Sequence, residues 1–297
     1  MNAVQAQQRV GPLASPVALP RQGRIRRLQR VAVWMLTVVI LGVFNFPFLN
    51  TLMISFKDPV DITAVPPKLV FQPVLSNYGE LFGDPTVPYG RYLLNTILIA
   101  AGAALLTILV TLPAGFITAR FGTGRRVLFP VISSLRAIPY VVFAIPIYIM
   151  FQRVRLIDTP VALILINTAI NVPLALVLFS VALREIPVTL DEAARIDGCS
   201  TWGVFRYVIV PLSGPISASV GILSFIGTWN EFLFGLLLTV ERATPVTVGT
   251  TMFITSWTIK WGSIAAALVL GTLPIVSFTT LAQRYLIRGL TAGAIKG

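Results

Sequence analysis

The chain has 297 residues, of which 56% are hydrophobic and 11% charged, with a mean hydropathy of +0.84. Soluble domains carry about 25% charged residues, so this composition excludes an ordinary soluble enzyme and indicates a membrane protein. The net charge of +12 does not indicate a nucleic-acid partner, because the basic residues lie in short segments between apolar runs rather than on a folded polar surface.

Apolar runs of full span length predict an all-α polytopic membrane protein. A bilayer core of about 30 Å needs roughly 20 helical residues. Six segments meet this length, and they predict transmembrane helices over 31–54, 92–119, 127–151, 160–183, 212–240 and 263–281. Residues 31–297 are therefore expected to form one transmembrane domain in the lipid bilayer.

The N-terminal segment 1–30 holds Gly, Pro, Gln and Arg without an apolar period. We expect a mostly disordered basic arm beside the anionic inner leaflet. A signal peptide is not expected, because the apolar stretch that follows is too long and lacks a small-residue cleavage pattern. If six spans alternate, most basic residues lie on the side of the termini. The positive-inside rule then places both termini, with a tail over 282–297, in the cytoplasm.

Several chemistries are absent from the sequence. The chain contains no histidine and a single cysteine, Cys199, which excludes imidazole catalysis, zinc motifs of the HExxH type and an intrachain disulfide. No glycine-rich loop with a lysine is present to hold phosphates. We therefore predict no catalytic residue, no metal site and no cofactor in this chain, and any ATP chemistry would belong to a partner.

The connection 184–211 is long and polar, and it predicts a helical hairpin in the cytoplasm. Thr189 and Glu192 have the T-x-x-E spacing of a capping box, which predicts a helix beginning near Leu190. Gly198 can adopt the left-handed conformation that ends this helix.

A second short helix is expected to follow in the same connection. Ser200 or Thr201 can cap it, and Pro211 marks the entry to the next span. Ala193 and Ala194 predict a flat, small-residue surface on the first helix that another protein can approach closely.

The segment EAARIDGCSTWGVFRYVIVPL resembles the EAA loop of permeases of ATP-binding-cassette (ABC) importers. The motif positions are filled by Glu192, Ala193, Ala194, Gly198, Val208, Val210 and Pro211. The segments IPIYIMFQ, TWNEFLF and the ending GLTAGAIKG are similar to carbohydrate-uptake permeases like the smaller permease of the maltose transporter. The likeness runs from about Val31 to Gly297.

The resemblance implies a subunit of a larger importer in a bacterial cytoplasmic membrane. Its partners would be a second permease, expected to be a different chain, two ATPase subunits that bind ATP and Mg, and an extracytoplasmic solute-binding protein. The hairpin would be the coupling helix and would drive alternating access. Glu192 would pair with a basic residue of the ATPase. Asp197 would either cap a helix of the hairpin or contact the ATPase. The tail from Ala292 would reach the ATPase interface.

Trp229, Asn230 and Glu231 form a polar and aromatic cluster in the fifth predicted span. An aromatic ring beside an amide and a carboxylate can bind a sugar, so these residues are candidates for the substrate path. A structural glutamate satisfied by helix neighbours is the other open interpretation. Arg136 is also deep and needs a partner, either Glu231 or backbone carbonyls beside Pro139.

Three alternatives were weighed against the sugar importer. An ion-coupled secondary transporter needs intramembrane polar sites and usually an internal repeat, and only Glu231 qualifies as such a carboxylate. An intramembrane enzyme lacks a nucleophile and base pair. An EAA-type permease for peptides, amino acids or phosphate is disfavoured only by the WNEFLF and GAIKG resemblance.

Overall fold

The computed structural model describes residues 21–124, 128–135, 137–254 and 259–291. Over these ranges the chain is helical, with one isolated bridge pairing between Ile254 and Ile259. The helices are α1 (Arg21–Ser55), α2 (Pro59–Ile62), α3 (Ser76–Gly83), α4 (Tyr89–Phe121), α5 (Leu128–Leu135), α6 (Ala144–Arg153), α7 (Pro160–Glu185), α8 (Val188–Ile196), α9 (Thr201–Val204), α10 (Val210–Leu212), α11 (Gly214–Trp229), α12 (Leu233–Leu238), α13 (Val246–Gly249) and α14 (Trp261–Thr291). The all-α class is confirmed.

Four of the described helices, α1, α4, α7 and α14, are long and apolar enough to cross a membrane. The helical stretches Thr201–Leu212 and Gly214–Trp229 meet at a bend of 71°, and they add a fifth span if the two are counted as one. The six predicted spans therefore do not correspond to six continuous helices. Two of them are broken, and the breaks lie at prolines and polar residues.

The third predicted span, 127–151, is interrupted in its middle. Helix α5 ends at Leu135, Pro139 is extended with ψ 128°, and a 3-10 turn over Tyr140–Phe143 leads into α6. The Pro139 ring cannot continue a helix without losing a hydrogen bond and meeting a carbonyl one turn earlier. Arg136, whose partner was left open by the sequence, lies outside the described residues.

The fifth predicted span, 212–240, is divided into α10, α11 and α12. Pro215 lies in the first turn of α11, and Asn230–Phe232 separate α11 from α12. Proline is tolerated at a helix start but not in its interior, which explains the sharp bend before α11.

The ends of the chain differ from the expected arm and tail. The arm 1–30 was expected to be mostly disordered, but its residues 21–30 are helical and belong to α1. Arg, Gln and Leu in RQGRIRRLQR are good helix formers and outweigh the single glycine, Gly23. Helix α14 likewise extends past residue 281 to Thr291, so most of the tail 282–297 is helical. Residues 1–20 and 292–297 lie outside the described residues.

The chain divides into two units at Asn50 and Thr51. In the first unit the side chains of α1 from Val31 to Leu49 are exposed, as expected for a helix whose neighbour is lipid. The second unit holds the packed helices.

The core of the second unit is formed by α4, α7, α11 and α14. Small residues allow close approach: a Cβ on Gly115 of α4 would stand 2.7 Å from the Cβ of Phe179 on α7. Ala100 and Ala103 of α4 are fully buried. The buried small residues of α4 thus form a packing surface for the neighbouring helices.

The connection between α1 and α4 folds into two short helices rather than a featureless loop. Asn77 of α3 donates its side-chain amide to the carbonyls of Ser55 and Lys57, at 3.0 and 2.8 Å. Lys57 is buried and donates to the Lys68 carbonyl at 2.6 Å. These bonds replace the regular helix ladder that the prolines of this segment prevent.

Candidate coupling hairpin and broken helix

The first helix of the hairpin, α8, begins at Val188, two residues earlier than the sequence indicates. Its N-cap position is Pro187, which provides no side-chain cap, and Leu190 N–H donates to the Pro187 carbonyl at 3.2 Å. The expected capping box of Thr189 and Glu192 is therefore wrong. Pro187 has a φ of −56° and a ψ of 131°, a non-helical conformation that is usual for the residue just before a helix.

The turn of the hairpin follows the prediction. Gly198 has a φ of 89°, and the N–H groups of Gly198 and Cys199 close the end of α8 on the carbonyls of Arg195 and Ala194. Ser200 then caps α9 by accepting a hydrogen bond from Gly203 N–H at 3.2 Å. The left-handed glycine and the serine cap are confirmed.

The two faces of the hairpin differ in exposure. Glu192, Ala193 and Asp197 are exposed, whereas Ala194 is partly buried and packs inward against the apolar core. The expected flat surface of two alanines is therefore corrected to Ala193 alone, because the helical turn of about 100° per residue directs Ala194 toward the apolar core.

Large apolar side chains also lie on the outside of the hairpin. Ile196 is 87% exposed and Trp202 is 68% exposed. Exposed apolar groups beside charged ones are typical of a docking surface for another protein.

The inner face of the hairpin joins the transmembrane helices through a buried apolar cluster. The members of this cluster come from α4, α7, α9, α11 and the π-helical turn Phe205–Ile209 that follows α9, and they are Leu112, Phe116, Ala175, Phe179, Leu183, Val204, Phe205, Ile209, Ile216 and Val220. Pro211 lies in α10, directly after this turn, where it marks the entry to the bent span. The hairpin is thus packed onto the helix bundle.

A buried ion pair adds a polar connection that the sequence analysis missed. Arg120 at the end of α4 donates from Nε to Asp191 Oδ2 at 2.7 Å and from Nη2 to Oδ1 at 3.3 Å. Its Nη1 donates to the Leu183 carbonyl of α7 at 3.0 Å. The partners are 71 positions apart in sequence, so only the fold brings them together.

The candidate sugar-binding cluster has mainly structural contacts. Trp229 is 4% exposed, its indole N–H donates to the Gly271 carbonyl of α14 at 3.2 Å, and its ring packs against Phe225. A buried indole with a satisfied N–H has no face free for sugar stacking within this chain. Asn230 is exposed but donates to the Ile226 carbonyl at 2.8 Å, closing the end of α11.

Glu231 caps the helix that follows the break. Its carboxylate accepts hydrogen bonds from the backbone N–H groups of Phe234 at 2.8 Å and Gly235 at 3.1 Å, at the start of α12. An acidic side chain at a helix N-terminus is stabilised by the free amide groups and the helix dipole. The structural interpretation left open by the sequence is the one that these contacts support.

Asn171 provides a polar contact between spans. Its side-chain amide donates to Thr228 Oγ1 of α11 at 3.1 Å and to the Asn167 carbonyl of α7 at 2.9 Å. Interhelical hydrogen bonds of this kind stabilise helix pairs in a membrane.

Asp158, in the turn between α6 and α7, anchors the loop that follows α12. Its carboxylate accepts four backbone N–H groups, from Val240 at 3.0 Å, Glu241 at 3.1 Å, Arg242 at 3.0 Å and Ala243 at 3.1 Å. Partial burial alone would raise the pKa of Asp158, but the four donors outweigh it and lower the pKa below its ordinary value.

The chain is similar in sequence to known transport proteins. Residues 111–292 match the model described as binding-protein-dependent transport system inner membrane component. A probable ABC transporter permease of Sinorhizobium fredii is 33% identical and covers 91% of this chain and 97% of its own length. A trehalose/maltose transport system permease of Thermococcus litoralis is also 33% identical, over 91% of this chain and 98% of its own length.

A solved bacterial ABC transporter involved in the import of the polysaccharide alginate has the same fold. Its TM-score is 0.70 at 20% identity, with 93% of this chain and 99% of that chain covered.

The chain belongs to the family of inner membrane components of binding-protein-dependent transport systems. It is a multi-pass inner-membrane permease of the ABC importer class. The resemblance carried by the EAA segment is therefore confirmed at the level of the family.

Proposed function

We propose that this protein is a permease subunit of an ABC importer and forms half of the translocation path for a sugar. The observation that carries the proposal is the hairpin α8–α9, which exposes Glu192 and Ala193 while its inner face is packed into the helix bundle. The sugar is supported by relatives named as permeases for trehalose/maltose, arabinooligosaccharides and sulfoquinovosyl glycerol.

The hairpin is the part of the chain that receives movement from the ATPase subunits. Glu192 and Asp197 supply negative charge to a basic cleft, and Ile196 and Trp202 supply the apolar area that such an interface needs at its centre. ATP and Mg bind to the partner ATPase subunits and are hydrolysed there, and this chain performs no bond chemistry. The termini and the hairpin lie on the cytoplasmic side.

The remaining partners are a second, different permease and an extracytoplasmic solute-binding protein. The substrate path runs between the two permeases, where Asn230 is the exposed member of the original cluster. Trp229 and Glu231 do not line this path but hold α11 and α12 in place beside it.

The test is uptake of labelled sugars into vesicles that hold the purified complete transporter with its binding protein. We expect uptake to require ATP, and we expect Glu192→Gln and Gly198→Asp to uncouple uptake from hydrolysis while the complex assembles. The matched control is Gly122→Asp, because Gly122 also has a positive φ of 66° and open space but ends α4 outside the hairpin. Uptake that follows an ion gradient, or that survives both hairpin variants, would contradict the proposal.

A further inference from the structure

The ion pair between Arg120 and Asp191 is a charged contact inside an otherwise apolar region. The side chain of each residue is 7% exposed. Together with the bond from Arg120 to the Leu183 carbonyl, the guanidinium joins three elements: the end of α4, the end of α7 and the first helix of the hairpin.

Stability alone is a weak reason for such a pair. Removing two charges from water is costly, and apolar residues of similar size often stabilise a protein equally well or better. The ion pair instead fixes how its two residues are oriented relative to each other. A guanidinium that reaches both carboxylate oxygens fixes the orientation of the two partners, whereas apolar contacts resist separation but are not directional.

The apolar cluster that surrounds the pair shows why direction matters here. Phe116, Phe179 and Phe205 pack the hairpin against α4 and α7, but apolar attraction of this kind is not directional. Helix α8 has only nine residues and is bounded by Pro187 and Gly198. Without the ion pair, a force on its outer face would be absorbed by rotation of α8.

We propose that Arg120 and Asp191 are positioning residues for energy coupling. They hold α8 at a fixed angle to α4 and α7, so that a displacement of the hairpin is passed to both transmembrane helices as one rigid movement. The inference rests on the proposed function, in which an ATPase subunit moves the hairpin.

The single variants Arg120→Gln and Asp191→Asn do not test this role alone, because each leaves a buried group unpaired and lowers stability. The deciding variant is the double apolar replacement Arg120→Met with Asp191→Leu, which removes both charges and leaves apolar side chains of similar length in the site. The control is Arg184→Gln, which removes an exposed cation from the same end of α7.

Two measurements are made on the complete transporter. The first is sugar transported per ATP hydrolysed, which we expect to fall about tenfold in the double variant, within the range usual for coupling between sites. The second is the distance distribution between spin labels at Val188→Cys and Phe121→Cys in a Cys199→Ala background. Both labelled positions are exposed, at 53% and 51%. We expect a narrow distribution with the ion pair and a broad one without it.

The outcomes separate this inference from the proposed function. The double variant must assemble for the test to count. If it then transports the normal amount of sugar per ATP, or keeps a narrow distance distribution, the positioning role is overturned and the pair only contributes to stability. If the unaltered transporter shows no ATP-dependent sugar uptake, the proposed function fails. The distance measurement still decides whether the ion pair fixes α8.

Discussion

Removing the carboxylate of Asp158 is expected to release the loop after α12. Asp158 has a positive φ of 59°, a conformation that glycine adopts without strain. The variant Asp158→Gly therefore removes the four accepted hydrogen bonds without adding backbone strain. Because these N–H groups lie near the surface and can turn to water, each bond contributes at the low end of the usual range, and the set amounts to about 2–4 kcal/mol.

Hydrogen exchange of the amides of residues 240–243 measures this loss directly. A loss of about 2 kcal/mol corresponds to roughly 30-fold faster exchange, and larger losses to more. Asp158→Asn should have a smaller effect, because three of the four N–H groups bond to Oδ1, which an amide retains, and only Arg242 N–H meets the new NH₂ group.

The matched control is Arg155→Gly in the same turn, where φ is 56° and no carboxylate is involved. Its effect on exchange at 240–243 should be negligible. Unchanged exchange in Asp158→Gly would refute the reasoning that the carboxylate, rather than the chain connection, holds this loop.

Three further predictions concern stability and the broken span. The protection of amides 240–243 against exchange should be constant near neutral pH and be lost below about pH 4. The reason is that the pKa of Asp158 is lowered, so its carboxylate stabilises the loop above its ordinary pKa and no longer does so once it is protonated. In Asp158→Asn, protection should not change with pH in this range. Gly115→Ala should lower thermal stability by about 1–3 kcal/mol through overpacking, whereas Gly90→Ala in the open part of α4 should not. Trp229→Phe should lower the free energy of unfolding by about 1 kcal/mol, because the hydrogen bond to the Gly271 carbonyl is lost. Uptake should stay intact. Lost uptake at unchanged stability would instead place the indole in the substrate path.

The sequence was most informative where local chemistry decides local structure. The length of the apolar runs predicts the helices α4 and α7 to within a few residues, and the glycine and serine of the hairpin predict its turn. The EAA segment identified the family, because its residues lie close together along the chain.

The sequence misjudged helix continuity. Hydropathy cannot distinguish a continuous apolar helix from an apolar segment broken at Pro139 or at Glu231. The basic residues before Val31 were interpreted as an arm because they lack an apolar period, yet such residues extend a helix readily.

The amino-acid sequence by itself determined the class of this protein: an all-α membrane permease with a polar hairpin. Only the tertiary structure decided which polar residues meet. Arg120 and Asp191, Asp158 and residues 240–243, and Trp229 and Gly271 are far apart in sequence. Hydrogen bonds and ion pairs act over a few ångströms, and no pattern along the chain specifies which distant groups the packing of helices brings within that range.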